Sequence, residues 1–139
     1  MLNIDELSNG IVIDHISAGM GRKIYDFLGL DQLENCSVAL LQNVRSQKYG
    51  SKDMIKIEGN PELPFPVLRY LDPEITVIRI ENGAVAEKFH PELPEKLVNV
   101  IRCTNPRCIT SIETNCNHVF VLSPNGHYRC QYCEEEYNL

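Results

Sequence analysis

Glu74-Ile-Thr-Val-Ile-Arg-Ile-Glu81 runs through Asn82-Gly83 into Ala84-Val-Ala-Glu-Lys88, and this stretch decides how most of the chain is read. Its β-branched residues predict a strand. Asn-Gly suits a two-residue turn whose central residues both take positive φ, so Ala84 to Lys88 is expected to pair back as a hairpin. Upstream, Gly10-Ile-Val-Ile-Asp-His15 is an apolar run fit for another strand. Met20, Ile24, Phe27 and Leu28 then fall at i, i+4, i+7 and i+8, which predicts a helix packing that face on a sheet, with Gly29 as its stop. Gly19-Met-Gly21-Arg22-Lys23 faintly resembles a phosphate loop but lacks its spacing and its Lys-Ser/Thr ending, and reads as the start of that helix.

Cys36 to Val44 is β-prone, Arg45 to Ser51 is polar and loop-like, and Lys52-Asp-Met-Ile-Lys-Ile-Glu58 returns as a strand. In it Ile55 and Ile57 share an apolar face, while Lys52, Met54, Lys56 and Glu58 share a face available to solvent or ligand. Pro61, Pro64 and Pro66 restrict the chain before a short helix expected over Pro66 to Leu71. Strand, helix, two strands, helix and further strands give the α+β class: a split β-α-β, ferredoxin-like antiparallel sheet with two helices on one face. His90-Pro-Glu-Leu-Pro94 carries two prolines and is expected to act as a hinge between domains 1–94 and 95–139.

The second domain is read from its cysteines. Cys103-Thr-Asn-Pro-Arg-Cys108 is followed after 21 residues by Cys130-Gln-Tyr-Cys133, two tight turns that can each place two thiolates on one tetrahedral ion. Tyr128 and Tyr132 around the second turn, and Asn105-Pro106 in the first, suit hairpins, so a small all-β zinc-ribbon (rubredoxin-like) domain is expected. With Cys103, Cys108, Cys130 and Cys133 closing the coordination sphere, the ion would contribute folding free energy instead of Lewis-acid chemistry. Cys36 reads as a small core hydrophobe and Cys116 as a free loop thiol, and His118 and His127 as surface histidines beside a complete thiolate set.

The whole chain has 139 residues, 43% hydrophobic and 23% charged, as in globular proteins. The N-terminal Met1-Leu-Asn-Ile-Asp-Glu-Leu7 has neither the basic start nor the apolar run of a secretory signal, and no apolar stretch approaches membrane-span length. A cytoplasmic protein with reduced thiols is therefore expected. A net charge of −6 opposes non-specific binding to nucleic acid.

An α+β domain followed by such a ribbon resembles the regulatory chain of aspartate carbamoyltransferase over nearly the whole length. The resemblance is carried by Gly10-Ile-Val-Ile-Asp-His15-Ile16, Gly50-Ser-Lys-Asp-Met-Ile-Lys-Ile-Glu58, Ile75-Thr-Val-Ile-Arg-Ile-Glu-Asn82, Pro91-Glu-Leu-Pro-Glu95 and the cysteine spacing, in that order. It implies a non-catalytic subunit of pyrimidine biosynthesis, without catalytic residues of its own. The N-terminal domain would bind the effectors CTP, UTP and ATP, and the zinc domain would dock on the catalytic chain. Regulatory chains of this family pair as homodimers and bridge catalytic trimers.

By the same resemblance Lys56 and Lys88 match triphosphate-binding lysines, Asp14 a ribose-contacting aspartate and His15 a phosphate-region histidine. Val12, Met54, Ile80 and Val85 match lining positions, and Ile4, Asp5 and Leu7 belong to the segment that lines the base. Taken alone, the two lysines read as solvated strand residues and Asp14-His15 as a strand-end turn. Asn105 and Glu134 match contacts to the catalytic chain, with Arg107, Gln131 and Tyr132 beside them. Ile78 stands where the family has an asparagine near the phosphates, and the segment from Pro61 to Pro66 departs from its longer second helix. The competing class is a zinc-ribbon binding nucleic acid or transcription machinery, but Arg102, Arg107 and Arg129 are balanced by Glu134, Glu135 and Glu136.

Overall fold

The computed structural model describes residues 8–47 and 50–137. It divides into two compact units between Leu93 and Pro94. In the first, β1 (Gly10–Ser17), α1 (Gly21–Phe27), β2 (Ser37–Ser46), β3 (Gly50–Glu58), α2 (Phe65–Leu71), β4 (Thr76–Glu81) and β5 (Ala84–Phe89) follow in order. The strands form one antiparallel sheet, β2-β3-β1-β4-β5. Inserting β3 between β2 and β1 makes this the split β-α-β arrangement.

Alternation along the strands sorts the side chains. Ile11 and Ile13 of β1, Ile55 and Ile57 of β3 and Val77 of β4 form one buried cluster with Ile24 of α1 and Leu68 of α2, so both helices cover the same face. Each such side chain contributes about 1.5–3 kcal/mol by leaving water. Cys36 packs at the edge of this cluster, as expected.

Several expectations shift. The buried side of α1 runs through Gly21, Ile24 and Leu28 with Tyr25, leaving Phe27 39% exposed. The cause is Gly21: a Cβ there would lie 2.8 Å from the Asp53 side chain and 3.0 Å from Leu40, so the helix approaches along its glycine side and turns Phe27 outward. β4 begins at Thr76 and not Glu74, because the Asp72 carbonyl accepts the Ile75 N–H in a turn. The turn is anchored where the Asp72 carboxylate accepts the Ser17 N–H at 2.7 Å. The face of β3 opposite the helices is not open to solvent at Lys56, which is only 5% exposed.

The second unit contains β6 (Lys96–Val98), β7 (Val119–Leu122) and β8 (Tyr128–Cys130), an antiparallel sheet in that order, and adds one helical turn, α3 (Ile109–Ile112), after the first cysteine pair. Its apolar row is short: Leu97, Phe120 and Cys130 stand opposite one another across the three strands. Tyr137 meets the Phe120 ring edge-on at 5.7 Å, and the Tyr128 hydroxyl donates to the Pro94 carbonyl at 2.6 Å.

Candidate functional site

Two constellations stand out, one in each unit. In the second, the sulfurs of Cys103, Cys108, Cys130 and Cys133 all lie within 4.8 Å of one another. The Cys103–Cys133 separation is 3.6 Å and the Cys108–Cys130 separation 3.7 Å. A disulfide would need about 2.05 Å. Four thiolates set tetrahedrally about 2.3 Å from a central ion would lie about 3.8 Å apart, so the donor set fits one metal ion with no position left over.

The electrostatics of the metal-free cluster are uneven. Burial pushes the Cys103 thiol up to about 12, against the backbone N–H of Asn105, and raises Cys130 as well against the N–H groups of Cys133 and Tyr132. At Cys108 burial also pushes upward, but the hydroxyl and backbone N–H of Thr110, together with the neighbouring Cys130 and Cys133, outweigh it and bring the thiol down to about 7. Burial favours neutral thiols here, and a cation among them favours the thiolates.

Two contacts around this centre are not evident in the sequence. The Thr110 hydroxyl lies 3.1 Å from Cys108 Sγ, and the Cys103 N–H donates to His118 Nδ1 at 3.0 Å. His118 thus has a defined partner and is not a plain surface residue. His127 is exposed, as expected, and pairs with Glu136 at 3.3 Å. Cys116 is a free thiol of intermediate exposure.

The second constellation lies on the sheet face opposite the helices. Ala39, Lys56, Val12, Ile78 and Lys88 stand opposite one another in a single row across all five strands. Ile80 and Val85 pair one step along, and Val12, Ile78 and Ile80 form a separate buried cluster with Met54 at its edge. Lys88 and Val85 are exposed. At the other end, β1 bulges: Asp14 and His15 occupy the space opposite Met54, and His15 takes φ 59°. Asp14 is held by Lys52 Nζ at 2.8 Å and by the His15 N–H. His15 Nδ1 lies 3.1 Å from Thr76 Oγ1, which lies 3.5 Å from His90 Nδ1. His90 Nδ1 also lies 3.2 Å from the Ile75 carbonyl, to which it can only donate.

Comparison with known proteins follows this division. Residues 2–92 match the family model for the aspartate carbamoyltransferase regulatory chain, allosteric domain, and residues 95–139 match its metal binding domain. The chain belongs to the family of aspartate carbamoyltransferase regulatory chains. It is 51% identical over 140 residues to the regulatory chain of Clostridium botulinum, covering 99% of this chain and 95% of that one. It is 49% identical to that of Clostridium tetani, covering 100% and 98%, and 40% identical to that of Bifidobacterium longum, covering 99% and 100%. The name assigns the family a regulatory and not a catalytic part.

Within this regulatory chain, Val12, Asp14, Met54, Lys56, Ile80, Val85 and Lys88 share the sheet face opposite the helices, with His15 in the adjoining bulge. Ile4, Asp5 and Leu7 lie outside the described residues. Asn105, Arg107, Gln131, Tyr132 and Glu134 lie in or beside the cysteine turns. The Asn105 side chain accepts the Arg107 N–H at 3.0 Å, and Glu134 takes φ 62°. No helix among the described residues is long and apolar enough to cross a membrane.

Asp53 is the residue that sequence reasoning passed over. It is buried, and its carboxylate accepts the N–H groups of Gly19 at 3.0 Å, Gly21 at 2.8 Å and Asn43 at 2.9 Å. It therefore ties the β1–α1 turn and the β2 bulge to β3. The signal was available, since strand alternation puts Asp53 on the same face as Ile55 and Ile57.

Proposed function

We propose that this chain is the cytoplasmic, non-catalytic subunit through which nucleoside triphosphates control an aspartate carbamoyltransferase, and that it grips the catalytic chain by a zinc-centred domain. The observation that carries the nucleotide assignment is the cross-strand row Lys56, Val12, Ile78, Lys88. Three strand spacings separate its two lysines by about 14 Å, so their long side chains can converge on one triphosphate over an apolar floor. Asp14 at the bulge would accept ribose hydroxyl bonds, and its present partner Lys52 would be free to turn to the ligand. Ile78 offers no polar atom midway along the row, so phosphate binding would rest on the lysines and His15.

The effectors would be CTP, UTP and ATP. The adjacency of His15, Thr76 and His90 supports linkage between that site and the segment from Pro91 to Pro94, because a ligand that moves His15 changes the surroundings of Thr76, which borders His90. Cys103, Cys108, Cys130 and Cys133 would hold zinc, whose preference for four thiolates fits a closed site, and its role would be to fix the turns carrying Asn105 and Glu134 for docking. Regulatory chains would pair as homodimers and bridge catalytic trimers.

The test is CTP and ATP binding to the full chain by calorimetry, followed by aspartate saturation of the complex with its cognate catalytic chain. Lys88→Ala should weaken triphosphate binding by on the order of tenfold to a hundredfold and abolish the effector response while the complex still forms. Unchanged binding would refute the nucleotide site.

A further inference from the structure

The four sulfurs of the metal centre have unequal surroundings. Cys108 and Cys130 are buried, whereas Cys103 and Cys133 are of intermediate exposure. Backbone N–H groups serve Cys103 from Asn105, Cys108 from Thr110, and Cys130 from Cys133 and Tyr132. At Cys108 a side-chain hydroxyl joins this pattern. Thr110 sits in the single turn α3, is 4% exposed, and points Oγ1 at Cys108 Sγ from 3.1 Å.

Thr110 stands in the first turn of α3, where no preceding turn offers its hydroxyl a carbonyl. Here the hydroxyl is aimed at a ligand sulfur instead. Between a thiol and a hydroxyl either partner could donate, but a metal-bound thiolate has no proton and can only accept. We propose that Thr110 is a positioning residue of the metal centre, its hydroxyl donating a hydrogen bond to the Cys108 thiolate when the four cysteines hold their ion. This rests on the metal-site reading of those cysteines. The bond fixes the direction of the sulfur and draws off part of its charge, so the sulfur is less open to attack by protons or competing electrophiles. Groups that hold a ligand in this way commonly change metal affinity by about tenfold to a hundredfold.

The experiment compares the full chain with Thr110→Val, which removes the hydroxyl at nearly constant volume, and with Thr110→Ser, which keeps it. Each protein is loaded with cobalt(II) for spectroscopy and with zinc for release to a chromophoric chelator. The unaltered chain and Thr110→Ser should share one sulfur-to-cobalt charge-transfer energy and one release rate. Thr110→Val should shift the band to lower energy, as expected for a more electron-rich sulfur, and release zinc about tenfold faster. A Thr110→Val protein with the unaltered band and rate would overturn the proposal. Should that variant fail to fold, the unaltered chain loaded with NMR-active cadmium decides the matter. A scalar coupling from cadmium to the Thr110 hydroxyl proton is expected, and couplings to the cysteine β-protons without it would overturn the assignment. Absence of any thiolate charge-transfer band in all three proteins would overturn the metal reading itself, and the proposal with it.

Discussion

The two units of this chain hold themselves together by different means. The first buries ten aliphatic side chains in one cluster between sheet and helices, from Ile11 and Ile13 to Val77. The second has three short strands and a row that passes from Leu97 through Phe120 straight to a cysteine. One is stable because apolar area leaves water; the other has too little such area for its size and needs a cross-link in the core. The difference teaches where each can carry function. A unit with a full core on one sheet face can devote the other face to polar and charged residues such as Lys56, Lys88 and Asp14. A unit built around an ion can present rigid turns with almost no core beneath them.

Chelating the metal should separate the two units most sharply. Structural metal of this kind contributes on the order of 10 kcal/mol or more, so hydrogen exchange of the chelated chain should lose protection across residues 94–137 while the sheet of residues 10–89 keeps it. Loss of protection in both would mean that the first unit depends on the second. The converse change is Leu68→Ala, which should cost the first unit about 2–5 kcal/mol in denaturant unfolding and leave metal content unaltered.

Protons should distinguish the units too. With Cys103 and Cys130 raised, both are protonated in the metal-free chain at neutral pH, so loading one ion should release at least two protons and affinity should fall as pH falls. The sign reverses without metal. A raised thiol pKa contributes stability below the unfolded value of about 8.5 that is lost as pH rises toward 12. Any structure that the second unit retains after chelation should therefore weaken on the alkaline side in circular dichroism, whereas a residual signal that stays flat there would show that burial does not raise these thiols. The smallest expected effect on stability is that of Lys88→Ala, within about 0.5 kcal/mol because the side chain is exposed, in contrast to the large effect proposed for triphosphate binding.

Much of this was legible in the residues. Asn82-Gly83 fixed a hairpin whose asparagine does take φ 53°, and the cysteine spacing brought four sulfurs together. Local chemistry of this sort is written in adjacent residues. What escaped were pairings made across distance. Phe27 looked like a core residue because heptad-like spacing says nothing of how closely Gly21 lets the helix approach Asp53. His118 read as a surface residue and Thr110 drew no reading, because their roles depend on a ring nitrogen meeting a backbone N–H 15 residues away and on which way a hydroxyl turns. The bulge at Asp14 and His15 is set by register against β3, which no stretch of β1 alone reveals.

The proposed division of labour between a nucleotide-reading sheet and a metal-held foot is tested most directly by sedimentation of the full chain with its cognate catalytic chain, before and after chelation. A complex should form with metal present, disappear on chelation and return when zinc is restored, with nucleotide binding by the isolated regulatory chain retained throughout. A complex that survives metal removal, or one that never forms with all four cysteines loaded, would contradict it.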